Sequence, residues 1–319
     1  MTNKTVLVTG GSGFLGTALV NRLLEQKRNV RILDLKEPKN ENVEFIRADV
    51  RDLDAFRKAA KDVEVIFHLA SLVPQSKVNP DDYEKIIVGG TENALKVCQE
   101  YNIKLVHVSS SSVYGGKRDG ALTEEDPKGP IGPYACAKWN AELKCQEYAK
   151  QGVNVVILRP MAIVGPGIYG VFKKFLILVK LNLPLITFGN GSNRIQLLNL
   201  SDCADALLCA EKYEGKSGEA FNLGSDNVPT VKEEFRELIK HAKSKSLIIS
   251  IPANLARFIF KSLYQIKLSP LTPEHYYMLD KNSILDITKA KKLLGWQPKK
   301  DNIVTLQETY DWYIKSERT

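Results

Sequence analysis

Apolar positions in the first half of the chain follow two alternating patterns. Short runs rich in apolar and β-branched residues at 6–9, 30–33, 43–46, 65–69, 105–108 and 153–158 predict the strands of a buried sheet. The stretches between them predict helices at 14–26, near 53–60, at 83–101 and at 134–150. In the first of these Leu15, Leu19 and Leu23 recur every four residues, which places them on one helical stripe. Strand and helix repeated this many times imply a parallel sheet covered on both sides, an α/β Rossmann-type doubly wound fold. After about Pro166 the pattern changes. Helical segments at 172–181, 202–213, 231–242 and 253–264 are separated by Gly- and Pro-rich loops, and short strands are expected at 185–187, 195–198, 221–223 and 247–251. This predicts a dinucleotide-binding domain over 1–166. A smaller, mainly substrate-binding C-terminal lobe follows over 167–319, with some segments returning to the first domain.

Composition narrows the partners. The chain has 319 residues, 44% hydrophobic and 26% charged, which is ordinary for a globular enzyme. Its net charge of +8 comes without a basic stripe: the Lys-Lys pairs at 173–174, 291–292 and 299–300 are not extended. Nucleic-acid binding is therefore not expected, whereas an anionic small molecule is. The five cysteines (98, 136, 145, 203, 209) form no CxxC pair, and the four histidines are scattered. No metal site is expected, and the thiols read as free in a reducing cytoplasm. The strand-like VLVT begins at residue 6, so neither a signal peptide nor a transmembrane segment is expected.

The stretch VLVTGGSGFLG (6–16) ends a strand and opens a helix, with Gly10, Gly13 and Gly16 three apart. Such a loop needs one glycine for the turn, one for backbone approach to a pyrophosphate and one for close helix packing. The helix N-terminus then faces the phosphates. Asp34 ends the second strand, 24 residues after Gly10. A carboxylate there accepts hydrogen bonds from a ribose and repels a 2′-phosphate, favouring NAD. Lys36, two residues on, would soften that preference. Asp49 and Val50, in RADVRD, are placed to hold the adenine ring.

Tyr134 and Lys138, in PYACAK, lie four apart at the start of a predicted helix and so share a face. An ammonium beside a phenol favours the phenolate, making the pair a workable general base. Before them comes SSSSVYGG (109–116), at the end of a predicted strand. Taken together, the glycine loop, the serine-rich strand end and Tyr-x-x-x-Lys resemble the extended short-chain dehydrogenase/reductase superfamily. The resemblance is to its NAD-dependent epimerase/dehydratase members. It continues through HLA (68–70), TEEDP (123–127), LRP (158–160), GPG (165–167), GNGSNR (189–194) and DITKAKKLLGW (286–296).

The resemblance implies NAD as cofactor. It would be held by Gly10, Gly13, Phe14, Leu15 and Gly16 in the loop, and by Asp34, Asp49 and Val50 at the next strand ends. Further contacts would come from Leu69, Ala70 and Ser71, from Ser109 and Pro160, and from Tyr134 and Lys138. It implies Ser110, four residues before Tyr114, as the working hydroxyl beside Tyr134 and Lys138. Ser110 and Ser111 would touch substrate, and Ser112 would be structural. Dehydratases of this superfamily carry Asp-Glu after the working hydroxyl. Ser111 and Ser112 stand there instead and do not titrate usefully near neutral pH, so dehydration is disfavoured. Arg194 resembles a diphosphate-binding arginine.

A second such arginine is missing, with Leu271 to Glu274 in its place. Ala162 and Ile87 replace asparagines usual in the sugar-nucleotide members. These departures resemble the 3β-hydroxysteroid dehydrogenase-like branch, and the amphipathic stretch 253–266 would suit a membrane, a hydrophobic substrate or simple core packing. His68, His107 and Cys136 read as packing residues, and Ser76 with Asn79 and Pro80 as a shortened substrate loop. Three functions fit. The first is an epimerase-type enzyme on a nucleotide- or lipid-linked sugar. The second is a dehydrogenase of a hydrophobic secondary alcohol, and the third an NAD sensor without turnover. The family implies a homodimer through the helices at 83–101 and 134–150.

Overall fold

A computed structural model describes residues 5–317 apart from 75, 77, 116–119, 169 and 267–279. The sequence feature at 271–274 therefore lies outside the described residues. The strands are β1 (Thr5–Thr9), β2 (Asn29–Asp34), β3 (Glu44–Arg47), β4 (Val63–His68), β5 (Lys104–Val108), β6 (Val155–Pro160), β7 (Ala162–Val164), β8 (Leu185–Phe188), β9 (Leu197–Asn199), β10 (Glu219–Leu223) and β11 (Ile248–Ile251). The helices are α1 (Phe14–Glu25), α2 (Leu53–Ala59), α3 (Pro80–Tyr83), α4 (Gly89–Tyr101), α5 (Gly132–Lys150), α6 (Val171–Lys180), α7 (Leu200–Glu211), α8 (Val231–His241), α9 (Ala253–Gln265) and α10 (Asn302–Ser316).

Seven strands form one sheet in the order β10-β6-β5-β4-β1-β2-β3, and every neighbouring pair is parallel. The order reverses beside β1, between β1 and β4, which is where open α/β sheets bind their ligands. Because side chains alternate across a strand, one run feeds two cores. Val6 and Val8 join Leu19, Leu23 and Leu158 on one side. Leu7 joins Leu33, Ile66, Phe56 and Leu95 on the other. This double burial is why β1 carries no polar alternation.

The strand β10 comes from beyond residue 166 and pairs with β6. The remaining C-terminal elements include the two-stranded pairs β8–β11 and β7–β9, with a third core around Leu176, Phe235 and Tyr310. Asn302 ties this region together. Its Oδ1 accepts from Leu197 N (2.9 Å) and Ser225 Oγ (2.6 Å), and its Nδ2 donates to Ile195 O (2.7 Å) and to Glu234.

Three elements depart from the sequence expectation. The helix expected over 83–101 is α3 and α4 joined by a wide π turn at Glu84–Val88, which a 3.6-residue period does not announce. The strand β7 was not anticipated because only three residues pair. The helix α10 was not anticipated either, although Asp301 caps it by accepting from Val304 N and Leu306, Tyr310 and Tyr313 line its buried side.

Candidate active site

The glycine loop is built as its spacing demands. Gly10 has φ of +70°, and a Cβ on it would lie 2.7 Å from Ala70 N. Glycine is required there twice over, by conformation and by approach. A Cβ on Gly16 would lie 2.1 Å from Gly10 O, so Gly16 lets α1 close onto the loop. Gly13 is the N-cap of α1, which has no side-chain cap and no acid in its first turn. The first amides of α1 therefore keep donors for an anion. Leu15 packs into the sheet core, whereas Phe14 packs with the C-terminal core. The side chain of Asp34 accepts from Ser12 N and Lys36 N, each at 3.0 Å, which fixes the carboxylate at the strand end. These residues fit a dinucleotide.

Asp49 is paired with its neighbour Arg51. Its oxygens accept from Arg51 Nη2 (2.7 Å) and Nε (3.0 Å), and these bonds hold it below the usual carboxylate range. Arg51 thus fixes the orientation of the Asp49 carboxylate. Val50 is buried, with Gly90 against it and Asn93 Nδ2 donating to its carbonyl (3.0 Å). Leu69 N and Ala70 N donate to Thr9 O (3.1 Å) and Thr9 Oγ1 (3.3 Å), and Ser71 Oγ donates to Leu72 O (2.9 Å). Pro160 ends β6, in register with Leu223.

The catalytic candidates do converge. Ser110 is the N-cap of a short 3-10 turn, Ser111–Tyr114, and its Oγ accepts from Ser112 N at 3.1 Å. Ser110 lies beside the Tyr134 phenol, close enough to favour its phenolate. Tyr83 packs edge-on against Tyr134 at 6.2 Å between ring centroids. Lys138, one helical turn on from Tyr134, donates from Nζ to Val108 O at 2.9 Å. Burial pushes the Tyr134 phenol up to about 12, and the nearby Ser110 hydroxyl works against it. Burial also pushes Lys138 down to about 8, opposed chiefly by Glu142.

Beneath this group lies a buried polar chain that the sequence reading missed. Glu142, one turn beyond Lys138, accepts from Arg159 Nη2 (2.7 Å) and Nε (3.0 Å), and from the hydroxyl of Ser109. Arg159 Nη1 donates to Tyr114 OH (2.9 Å), which donates to Asn222 Oδ1 (2.6 Å). Ser109 was expected to touch cofactor. Its hydroxyl is instead committed to Glu142, because it points into the sheet–helix interior where an unpaired hydroxyl is costly. The signal available was the spacing of Tyr134, Lys138 and Glu142 along one helix face, with Arg159 inside the LRP motif.

Other expectations sort themselves. Arg194 Nη1 donates to the Val228 carbonyl, and Arg194 N donates to Asn282 Oδ1 (2.9 Å). It lines a shallow cleft of about 340 Å³ with Ser225, Asp226 and Asp286. No contact among the described residues joins it directly to Ser110 or Tyr134. Asp126 caps the TEEDP turn, accepting from Thr123 N (2.8 Å) and Oγ1 (2.9 Å). Ser76 and Asn79 serve local turns rather than a pocket.

His68 and His107 are buried and stacked, 5.8 Å between centroids. His68 Nδ1 bonds Thr9 Oγ1 at 2.8 Å, but neither His107 nitrogen has a partner among the described residues. They are core residues, yet not satisfied ones, and burial holds both below the usual histidine range.

Comparison with known proteins decides the family. Residues 6–224 match the model of the NAD dependent epimerase/dehydratase family. The chain belongs to this family. Its members are enzymes of the extended short-chain dehydrogenase/reductase type, and NAD is its cofactor. The uncharacterised protein y4nG of Sinorhizobium fredii is 34% identical, over 97% of this chain and 78% of that one. A putative UDP-glucose 4-epimerase of Methanocaldococcus jannaschii is 32% identical, over 98% of this chain and all of that one. The crystal structure of UDP-glucose 4-epimerase with UDP-glucose from Thermotoga maritima superposes with a TM-score of 0.80 at 25% identity, covering 98% and 99% of the two chains. Among the described residues no helix is long and apolar enough to cross a membrane.

Proposed function

We propose that this family member is an epimerase-type enzyme that oxidises and re-reduces one secondary carbon, in the manner of a 4-epimerase, on a nucleotide- or lipid-linked sugar. The reading rests on Ser110 placed beside Tyr134, with Ser111 and Ser112 following it. Tyr134 is half-buried, and in this reading its phenol faces the substrate hydroxyl. As phenolate it takes the hydroxyl proton, and Ser110 Oγ holds the same oxygen. Bound NAD supplies the hydride acceptor for the carbon–hydrogen bond and the donor for its return. Tyr134 gives the proton back when the carbonyl is reduced. Lys138, an ammonium on the same helix face, favours the phenolate that burial alone would disfavour. Elimination of water would need a second acid and base on the adjacent carbon, and Ser111 and Ser112 supply neither.

The relatives that carry UDP-glucose in their names support an activated sugar as the substrate class. Arg194, engaged with Val228, favours a second reading: oxidation of a hydrophobic secondary alcohol, similar to that of 3β-hydroxysteroid dehydrogenases. The two differ in their use of cofactor. The purified protein is expected to carry NAD, to convert UDP-glucose to its 4-epimer without added cofactor, and to show the absorbance of bound NADH during turnover. Stoichiometric NAD consumption with a sterol and none with UDP-glucose would transfer the assignment to the second reading. The proposal includes a homodimer through α4 and α5, which sedimentation would test.

A further inference from the structure

Helix α9 is apolar on two sides. Ala256 is buried, and Phe260 lies edge-on against Phe188 of β8 at 5.9 Å between ring centroids, so one stripe of the helix is already seated. The other side carries Leu255, Phe258 and Ile259, exposed to 50%, 70% and 42%. A helix whose only partner is its own core needs one apolar stripe. The second stripe is unexplained by folding.

A second apolar surface lies beside it. Ile186 and Ile249 are register partners in the β8–β11 pair, and both are exposed. Side chains alternate along a strand, so these two share their sheet face with Phe188, on which α9 rests. Leu247, two residues before Ile249, extends the same face and is 69% exposed.

The segments that build this surface carry charge of one sign. Neither Asp nor Glu occurs from Tyr148 to Ser201 or from Leu238 to Pro273, while these two segments carry twelve lysines and arginines. The strands β8 and β11 and helix α9 come wholly from these segments. Lys243, Lys245 and Lys261 are exposed. Asp280, the carboxylate that approaches α9, is bonded to Arg257 at 2.7 Å.

We infer that this face docks on the surface of an anionic phospholipid membrane. Its apolar side chains would enter the headgroup–acyl boundary while the lysines meet lipid phosphates. A second copy of the chain fits less well, because a two-fold interface sets each patch against itself and would oppose lysine to lysine. The inference is independent of which substrate is turned over.

The test is flotation of the full-length protein, loaded with NAD, with vesicles of phosphatidylcholine alone or with about 30% phosphatidylglycerol added. Binding to the anionic vesicles only, weakened by salt, is the expected result. Phe258→Asp together with Ile249→Asp should lower partitioning at least ~10-fold, with melting temperature and NAD affinity unchanged. Lys243→Gln, Lys245→Gln and Lys261→Gln together should lower it through charge alone. Absence from both vesicle types would overturn the inference, as would binding that survives the aspartates. So would a dimer that Phe258→Asp dissociates, which would assign the face to a second copy.

Discussion

Glu142 and Glu234 are both buried carboxylates, and they hold the two halves of the molecule in different ways. Glu142 joins the catalytic helix α5 to β6 through a two-bond pair with Arg159 and also grips Ser109. Glu234 joins α8 to α10 through the side-chain amide of Asn302. One carboxylate meets a full positive charge, and the other meets a neutral amide. The NAD-binding half is thus pinned under its site by a charged network, whereas the junction in the C-terminal half accommodates a carboxylic acid. Burial pushes Glu234 up to about 7, and its bond to Asn302 only partly opposes this. A site that must keep Ser110, Tyr134 and Lys138 in register gains from the stiffer arrangement.

The largest expected effect tests that stiffness. Glu142→Ala strands the Arg159 guanidinium in the interior and should cost about 3–5 kcal/mol in urea unfolding. A loss under ~1 kcal/mol would mean that the charged network does not pin the site and would break the comparison.

Tyr134→Phe comes next and separates chemistry from scaffold. Turnover should fall at least ~100-fold, with NAD affinity and stability nearly intact. Ser110→Ala should impair turnover as well, and Ser111→Ala far less. Full activity in Tyr134→Phe would remove the phenol from the mechanism.

Glu234 sharpens the other half of the comparison through pH. A carboxyl whose folded pKa is raised contributes stability fully below its unfolded value, near 4.5, and loses it as pH rises through about 7. Glu234→Gln should therefore stabilise the protein at pH 8 by on the order of 2 kcal/mol and leave it unchanged near pH 4.5. Thermal melts at the two pH values decide it. An equal shift at both would show that ionisation of Glu234 plays no part.

Arg194→Ala carries the smallest expected effect. With its guanidinium on Val228, its loss should change stability within ~0.5 kcal/mol and the substrate KM within about twofold. A 10- to 100-fold rise in KM for a UDP-sugar would restore Arg194 as a diphosphate ligand and move the C-terminal half from scaffold to site.

Much of the NAD-binding half was legible because local rules govern it. The strand runs, the glycine spacing and the Tyr134–Lys138 interval each express a short-range geometric need, and each appears in the structure where expected. Helix α10 is equally legible from its Asp301 cap and from the spacing of Leu306, Tyr310 and Tyr313. The roles of Asp49 and Arg194 were not readable. A polar side chain chooses among partners within a few ångströms, and Arg51 and Val228 were the partners that folding brought near.

Sequence by itself determined the fold class, the family resemblance and the candidate trio Ser110, Tyr134 and Lys138, because spacing places Tyr134 and Lys138 on one helix face and the resemblance points to Ser110. Only the tertiary structure decided what stands behind that trio. Glu142 and Arg159 are 17 positions apart, and Tyr114 and Asn222 are 108 apart. No local pattern marks such pairs, since burial in a common interior is what forces these polar groups to satisfy one another.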